Sequence, residues 1–314
     1  MNDIKQLVER FRQSPLIKET RYEDISAFNF TRKAFNRAEW NDLTTRARGM
    51  FIDTERNWIV CRGYDKFFQV DERPETKKDH LRKTLKFPVK AYVKENGFLG
   101  LISFDANTRS LRFATKARLD GQYVDMLKES FYRHCGDPGW VITTLKNLNA
   151  TLLMEVIEPE KDPHIIQYSK PNLIVLDLIR NDLRFDQLQY EILVSFTNKV
   201  GLPVKKVHRT YTTWEELEHD INEWETESYR LCGEPVEGFV LEDSTGFMVK
   251  VKTGYYKLWK WRRSMIGRVV NGKYEKGTDP FGDWMYDLNQ INPFDGTEDI
   301  IQFRLVYEYF FGGM

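Results

Sequence analysis

The 314-residue chain is long enough for one large or two modest domains, and 41% hydrophobic with 14% aromatic residues mark it as globular, not disordered. Its 47 basic and 47 acidic residues cancel, so net charge says nothing about a nucleic-acid partner. Three dispersed cysteines without a CxxC pair, and five histidines without zinc-ligand spacing, argue against a disulfide framework and a zinc site. No apolar run approaches the ~18 residues of a membrane span, and Met1–Gln6 has no apolar h-region. A soluble, cytoplasmic protein is the expectation.

Residues 3–13 place Ile4, Leu7, Val8 and Phe11 at helical spacing, which predicts an amphipathic helix with Asp3 as its cap. Residues 20–36 mix Tyr22, Phe28, Phe30 and Phe35 with charge and show no period. Thr45–Asp53 and Trp58–Arg62 flank a polar Thr54–Asn57 turn, a hairpin with Arg48 at its start. Lys66-Phe67-Phe68-Gln69-Val70 follows, and the charged stretch 71–86 reads as a solvated helix. Ala91–Gly100 has two apolar runs around Asn96-Gly97, which predicts a tight two-residue hairpin with Lys94 at its mouth.

Leu101–Phe104 and Leu111–Thr115 read as strands around Asn107-Thr108, with Lys116 ending the second. Residues 122–135 form a helix with Tyr123, Met126, Leu127 and Phe131 on one face. Leu152–Ile157 and Leu173–Ile179 are apolar strands, and Asp186–Val200 reads as a helix. Thr213–Trp224 is an acidic helix whose Thr213 and Glu216 fit a capping box. Val236–Leu241 and Phe247–Lys252 are the last strand pair. From Tyr256 the pattern turns helical and basic, a boundary near 255–262. The aromatic-rich remainder is too short to hold much core alone.

Several charges sit where apolar residues would be expected. Glu155 interrupts an apolar strand, which is costly unless it is paired or turned to solvent by the two-residue period; the strand alone leaves both open. Glu237 stands beside Gly238, where a missing side chain permits close approach. Lys250 and Lys252 are two apart in a strand and project from one face. With Lys94 and Arg48 these residues describe a sheet-lined pocket suited to a polyphosphate, a sugar and a divalent metal. An amine there could attack phosphorus once deprotonated, and cationic neighbours or a metal would lower its pKa. Gly267–Tyr274 matches GxxxxGK, but Tyr274 replaces the Ser/Thr that would ligate Mg²⁺ and no buried strand precedes it. It is read as a glycine-containing turn.

In these residues the chain resembles the covalent nucleotidyltransferases, most closely the phage RNA ligase 1 family and the adenylyltransferase domain of fungal tRNA ligases. Lys94-Glu95-Asn96-Gly97 resembles the nucleophile motif Lys-x-Asp/Asn-Gly. Leu153-Met154-Glu155-Val156, Glu237-Gly238-Phe239-Val240 and Val249-Lys250-Val251-Lys252 resemble the third to fifth motifs. Ala47–Phe51, Lys66-Phe67-Phe68 and Thr115-Lys116 resemble flanking blocks, and Tyr255–Arg263 resembles the fungal continuation of the fifth motif. Asn96 stands for the commoner Asp, and Gln69 where Asn is frequent.

The resemblance implies an α+β nucleotidyltransferase fold, unrelated to ATP-grasp, of antiparallel sheets flanked by helices. A nucleotidyltransferase (adenylylation) domain at 1–258 and a small, mostly helical C-terminal domain at 259–314 are expected. The implied activity is ATP-dependent joining of 5′-phosphate and 3′-OH RNA ends through lysyl-AMP and adenylated RNA, with Mg²⁺ or Mn²⁺. Lys94 would be the nucleophile. Lys250 and Lys252 would hold the α-phosphate. Arg48 and Lys66 would contact phosphate, Phe68 the nucleoside, Glu155 the ribose, Glu237 the metal, and Lys116 the β/γ phosphates or RNA. The implied partners are RNA, with nicked tRNA as one candidate, and a separate end-healing kinase/phosphatase. Rival readings are a DNA ligase, a capping-type enzyme, or a non-catalytic RNA-binding protein on the same fold. No residue selects the RNA substrate.

Overall fold

The computed structural model describes residues 3–295 and 299–311; the rest of the expected C-terminal domain, 296–298 and 312–314, lies outside the described residues. Helix α1 (Asp3–Gln13) buries Leu7, Val8 and Phe11, as their spacing predicts. It packs on a sheet formed by β1 (Ile17–Tyr22) and β2 (Ile25–Phe30), then, after α2 (Arg32–Asn36) and α3 (Asp42–Arg46), β3 (Met50–Asp53) and β4 (Trp58–Arg62). The β3–β4 hairpin is the one expected. The β1–β2 hairpin, hidden in an aperiodic stretch, was not.

Helix α4 (Lys78–Thr84) is exposed on one side only, since Leu81 and Leu85 enter the core against the next sheet. There follow β5 (Val89–Lys94), β6 (Phe98–Asp105), β7 (Ser110–Thr115), α5 (Gln122–His134), α6 (Pro138–Leu148), β8 (Ala150–Ile157) and β9 (Asn172–Arg180). After these come α7 (Tyr190–Val200), β10 (Val207–Tyr211), α8 (Trp214–Trp224), β11 (Gly238–Glu242) and β12 (Met248–Lys252). In α5 the buried face carries Val124 with Met126, Leu127 and Phe131, while Tyr123 is exposed. Helix α7 begins at Tyr190, four residues later than its pattern suggested. At α8, Thr213 caps the Glu216 N–H at 3.4 Å, but the Glu216 carboxylate turns to Thr212, so the box is only half formed.

Two antiparallel sheets result, in the orders β7-β6-β8-β9 and β10-β5-β11-β12. The predicted Asn96-Gly97 hairpin does not form. β5 pairs with β10 and β11, β6 with β7 and β8, and Glu95–Gly97 crosses from one sheet to the other. Neither Asn96 nor Gly97 has positive φ. The glycine is required instead by close approach, because a Cβ there would strike the Val156 carbonyl.

Helices α5, α6 and α7 cover one face of the first of these sheets through Ile102, Leu152, Met154 and Val156. Its other face meets the N-terminal sheet through Leu101, Leu153 and Phe51. Every residue of β8 is therefore buried, and Glu155 is not turned to solvent. Helices α4 and α8 cover the other sheet through Val93, Phe239, Val249 and Val251. That leaves Lys94, Lys250 and Lys252 on its opposite face.

A buried ion cluster joins the two sheets. Lys205, between α7 and β10, lies 3.0 Å from Asp177 of β9 and 3.2 Å from Glu242 of β11. Tyr64 donates to Asp177 at 3.1 Å. Burial opposes the Lys205 charge, but the two carboxylates outweigh it and hold the amine protonated.

Helices α9 (Gly254–Val270), α10 (Pro280–Ile291) and α11 (Ile300–Phe311) complete the chain. The expected 258/259 division falls inside α9, which starts at Gly254. These helices build their small core around Trp259, Met265 and Phe281 and borrow Ile165 and Ile166 from the β8–β9 connection. Gly267 lies within α9 and only Gly272 (φ +63°) turns the chain just past its end, so the GxxxxGK match, read as a glycine-containing turn, is mainly the last turn of a helix. Among the described residues no helix is long and apolar enough to cross a membrane, and Cys61, Cys135 and Cys232 are free thiols.

Lys205→Met strands two carboxylates in the core and should cost about 3–5 kcal/mol in urea unfolding, with partial recovery when Asp177→Leu is added. A loss below about 1 kcal/mol would mean the cluster behaves as a solvated pair. Gly97→Ala should cost about 1–3 kcal/mol in the same assay, because the chain must move off Val156.

Candidate active site

The residues singled out from the sequence converge where the two sheets meet. Gly238 pairs with Lys94 on one side and Lys252 on the other, which sets both ammonium groups beside the strand that Glu237 precedes. A Cβ on Gly238 would strike the Val251 carbonyl, so the missing side chain permits close strand approach. Lys94 Nζ lies 2.9 Å from Glu237 Oε2, and Lys252 Nζ 3.0 Å from Oε1. Asn96 Nδ2 donates to Oε2 at 2.9 Å. Glu237 is only 4% exposed, and burial would raise its pKa; Lys94 and Lys252 outweigh that and keep it a carboxylate.

Burial likewise disfavours the Lys94 charge, yet Glu237 and Glu155 prevail and push its pKa up. The expected depression of the Lys94 pKa is not found, because carboxylates and not cations dominate its surroundings. Lys250 behaves as Lys94 was expected to: burial first, then the cations Lys66 and Lys94, lower it to about 7. Its amine donates to the Phe67 carbonyl at 3.3 Å.

Glu155 accepts from the Gly97 N–H at 2.8 Å and so braces the crossover carrying Lys94. Its burial raises its pKa against the pull of Lys94. With Arg48, Lys94 and Lys116 it lines a cavity of about 730 Å³. Burial lowers the pKa of both Arg48 and Lys116, and Arg48 donates to the Tyr64 carbonyl at 3.4 Å. Glu237, Lys250 and Lys252 stand outside that lining, as do Lys66 and Phe68, which adjoin Lys250, whose N–H donates to the Phe68 carbonyl at 3.0 Å. The Phe68 ring is covered by Lys66 at 4.1 Å, Arg73 at 5.5 Å and Trp40 at 5.6 Å.

Other participants had a weak sequence signal or none. Tyr256 lies under Lys252, 4.4 Å from its amine; it was visible as part of the Tyr/Arg-rich block but carried no assigned role. Tyr168 accepts from the Asn96 N–H at 2.8 Å and donates to Glu95 at 2.9 Å, from a loop without periodicity. His164 and Asp162, 2.8 Å apart, also line the cavity, with Tyr123 donating to Asp162. Chemically, the site offers an amine, flanking cations for phosphate charge, and carboxylate oxygens of the kind that hold Mg²⁺ or Mn²⁺.

The RNA ligase family model matches residues 46–256, a segment containing every one of the assigned site residues. A tRNA ligase of Candida albicans is 27% identical over 271 residues, 73% of this chain but 32% of that protein. The tRNA ligase 1 of Schizosaccharomyces pombe is 46% identical over 65 residues, 19% of this chain and 8% of its own length. The chain thus spans a third or less of these curated relatives. Among solved structures, an archaeal ATP-dependent RNA ligase superposes with a TM-score of 0.57 at 14% identity, over 98% of this chain and 76% of that one. An Aquifex aeolicus protein assigned as an ATP-dependent DNA ligase gives 0.57 at 16%, over 96% and 75%. At such identities these two likenesses concern the fold, which is the expected α+β nucleotidyltransferase arrangement. With most of its length inside the family match, the chain belongs to the RNA ligase family.

Proposed function

We propose that this chain is an ATP-dependent RNA ligase working through a covalent lysyl-AMP at Lys94. The observation that carries the reading is the Lys94–Glu237–Lys252 cluster, whose Lys94 also lines a cavity with Arg48, Lys116 and Glu155. A phosphoryl transfer needs positioning and neutralisation of charge more than covalent help, and this cluster supplies both. Lys94 Nζ, after losing a proton, attacks the α-phosphorus of ATP; the N–P bond forms, the Pα–O bond breaks and pyrophosphate leaves. The 5′-phosphate of an RNA strand next displaces Lys94 from AMP. The 3′-OH of a second end then attacks that 5′-phosphorus, expels AMP and seals the phosphodiester.

In this scheme Lys250 and Lys252 hold the α-phosphate, and Arg48, Lys66 and Lys116 take outer phosphates or the RNA 5′-phosphate. Glu155 binds ribose, Phe68 supports Lys66, and residues before Gly254 form the adenylylation unit. Glu237, with both oxygens engaged by cations or an amide, has the hard-donor chemistry to hold Mg²⁺ or Mn²⁺. A bound ion would supply Lewis-acid neutralisation of phosphate charge. The names of the relatives, RNA ligase and tRNA ligase, support RNA as the substrate class, and the lysyl-AMP scheme calls for 5′-phosphate and 3′-OH ends, such as those of a cleaved tRNA. Such ends call for a separate kinase/phosphatase where they are not already present.

Incubation with α-³²P-ATP and Mg²⁺ should place acid-labile label on the protein. Lys94→Ala or EDTA should abolish it, and Lys252→Ala should reduce it about 100-fold or more. Label from GTP instead would point to capping chemistry. A folded wild type shown by mass to carry no AMP, yet taking no label, would sink the reading.

Lys250 predicts a proton linkage. Empty, it is largely neutral above pH 7; a phosphate above it favours the charged form and raises its pKa. Metal-free ATP binding at pH 8 should therefore take up protons, and affinity should rise as pH falls toward 7. Calorimetry in buffers of different ionisation heat should show this uptake shrinking in Lys250→Met. Equal uptake in the variant would refute the assignment.

A further inference from the structure

Outside the cavity, the segment between β2 and β3 carries a feature that the proposed chemistry does not use. Helix α2 buries only Ala34, and its Phe35 is 58% exposed. The ring does not stand alone. It lies 6.3 Å from Phe30 in a stacked orientation and 6.3 Å from Trp40 edge-on, and Trp40 lies 5.6 Å from Phe68. Lys66 sits over both Trp40, at 4.6 Å, and Phe68, at 4.1 Å. Because Lys250 hydrogen-bonds to the Phe68 carbonyl, this row of rings runs without a break from the phosphate-binding lysines to open surface.

The surroundings of the exposed ring are cationic. Arg32, one helical turn from Phe35, and Lys33 and Arg37 are all exposed. Arg73 covers Phe68 and donates to the Ala38 carbonyl at 3.4 Å. Acidic groups are present but engaged: Glu39 pairs with Arg37 at 3.8 Å, Glu72 with Lys66 at 3.7 Å, and Glu75 with Arg73 at 3.5 Å. In a chain with no net charge this is a local clustering of aromatic faces and cations. Nothing in the packing of α2 requires Phe35 outside. A ring packed on Phe30 and Trp40 beside exposed cations matches the two faces of a single-stranded nucleic acid, flat bases for stacking and phosphates for charge.

We propose that Phe35 and the edge of Trp40, flanked by Arg32, Lys33, Arg37 and Arg73, form a docking shelf for the unpaired nucleotides next to the RNA 5′-phosphate. The proposal rests on the RNA ligase reading, which supplies that phosphate at Arg48 and Lys66. The shelf acts on RNA binding, ahead of and apart from the attack of Lys94 on ATP.

The test uses the full chain, a fluorescent, unstructured, 5′-phosphorylated RNA of about 12 nucleotides, and anisotropy titrations across a salt series. Phe35→Ala should weaken binding about fivefold or more, and Phe35→Trp should restore it. Arg32→Gln with Arg37→Gln should flatten the salt dependence by about one to two in slope. All three variants should take label from ATP at the wild-type rate. Unchanged RNA affinity in Phe35→Ala overturns the shelf. So does an equal loss on a blunt RNA duplex, which would show that unpaired bases are not read. A concentration-dependent dimer in light scattering that Phe35→Ala dissolves, with RNA affinity intact, would assign the surface to a second copy instead. A wild type that takes no label from ATP defeats the ligase reading alone, since the binding comparison is made without ATP.

Discussion

The carboxylate of Glu237 organises this molecule. Nearly sealed from solvent, it is held by an ammonium on each oxygen and by the Asn96 amide. A buried anion tolerates that position only while its partners stay in place, and removing one of them leaves an unpaired charge in the interior. The three partners come from β5, β12 and the sheet crossover, so one local electrostatic demand fixes the relative placement of distant parts of the chain. It also favours the charged form of Lys94. The amine is thus held in its charged form, and anything that competes for Glu237 works toward lowering its pKa.

Lys94 and Lys252 share one sheet, with Glu237 just before its β11, and Glu155 of the other is held against them because the two sheets cannot drift apart. The crossover at Glu95–Gly97 is short and pressed against the Val156 carbonyl, and Glu155 fastens its amide from below. Lys205, Asp177 and Glu242 tie the same sheets together elsewhere. Burial of one ammonium between two carboxylates is poor currency for stability compared with apolar packing, but it is directional. Here direction is what the site requires, since Lys94 of one sheet must face Glu155 of the other.

Much of the site was legible because strand periodicity is a strong local signal. Lys250 and Lys252 had to share a face, and Glu155 and Glu237 stood out as charges in apolar runs. What stayed illegible was non-local. Asn96-Gly97 carries the local signature of a tight turn, yet β5 finds its partners near residues 207–211 and 238–242, and no local pattern encodes that choice. For the same reason the fate of Glu155 was open: only the coverage of its sheet on both faces shows that it is interior. Trp40 and Tyr168 lie in segments without periodicity, and α6 and the β1–β2 hairpin were missed. Phe35 is the converse case, an aromatic residue visible in the sequence whose exposure only the fold reveals.

The side chain of Asn96 also faces away from the cavity. Its carbonyl oxygen accepts from the Ile166 N–H at 3.1 Å, and Ile165 and Ile166 belong to the core of the C-terminal helices. Arg304 of α11 donates to the Ile165 carbonyl. A short chain of hydrogen bonds therefore joins α11 to the crossover that follows Lys94. Linkage of this kind is reciprocal. To the extent that packing of the terminal helices favours the ordered crossover, the ordered crossover favours their packing by the same free energy. The Asn96 side chain, which bonds both Glu237 and Ile166, is the point where the charged cluster and the packing of the C-terminal helices meet.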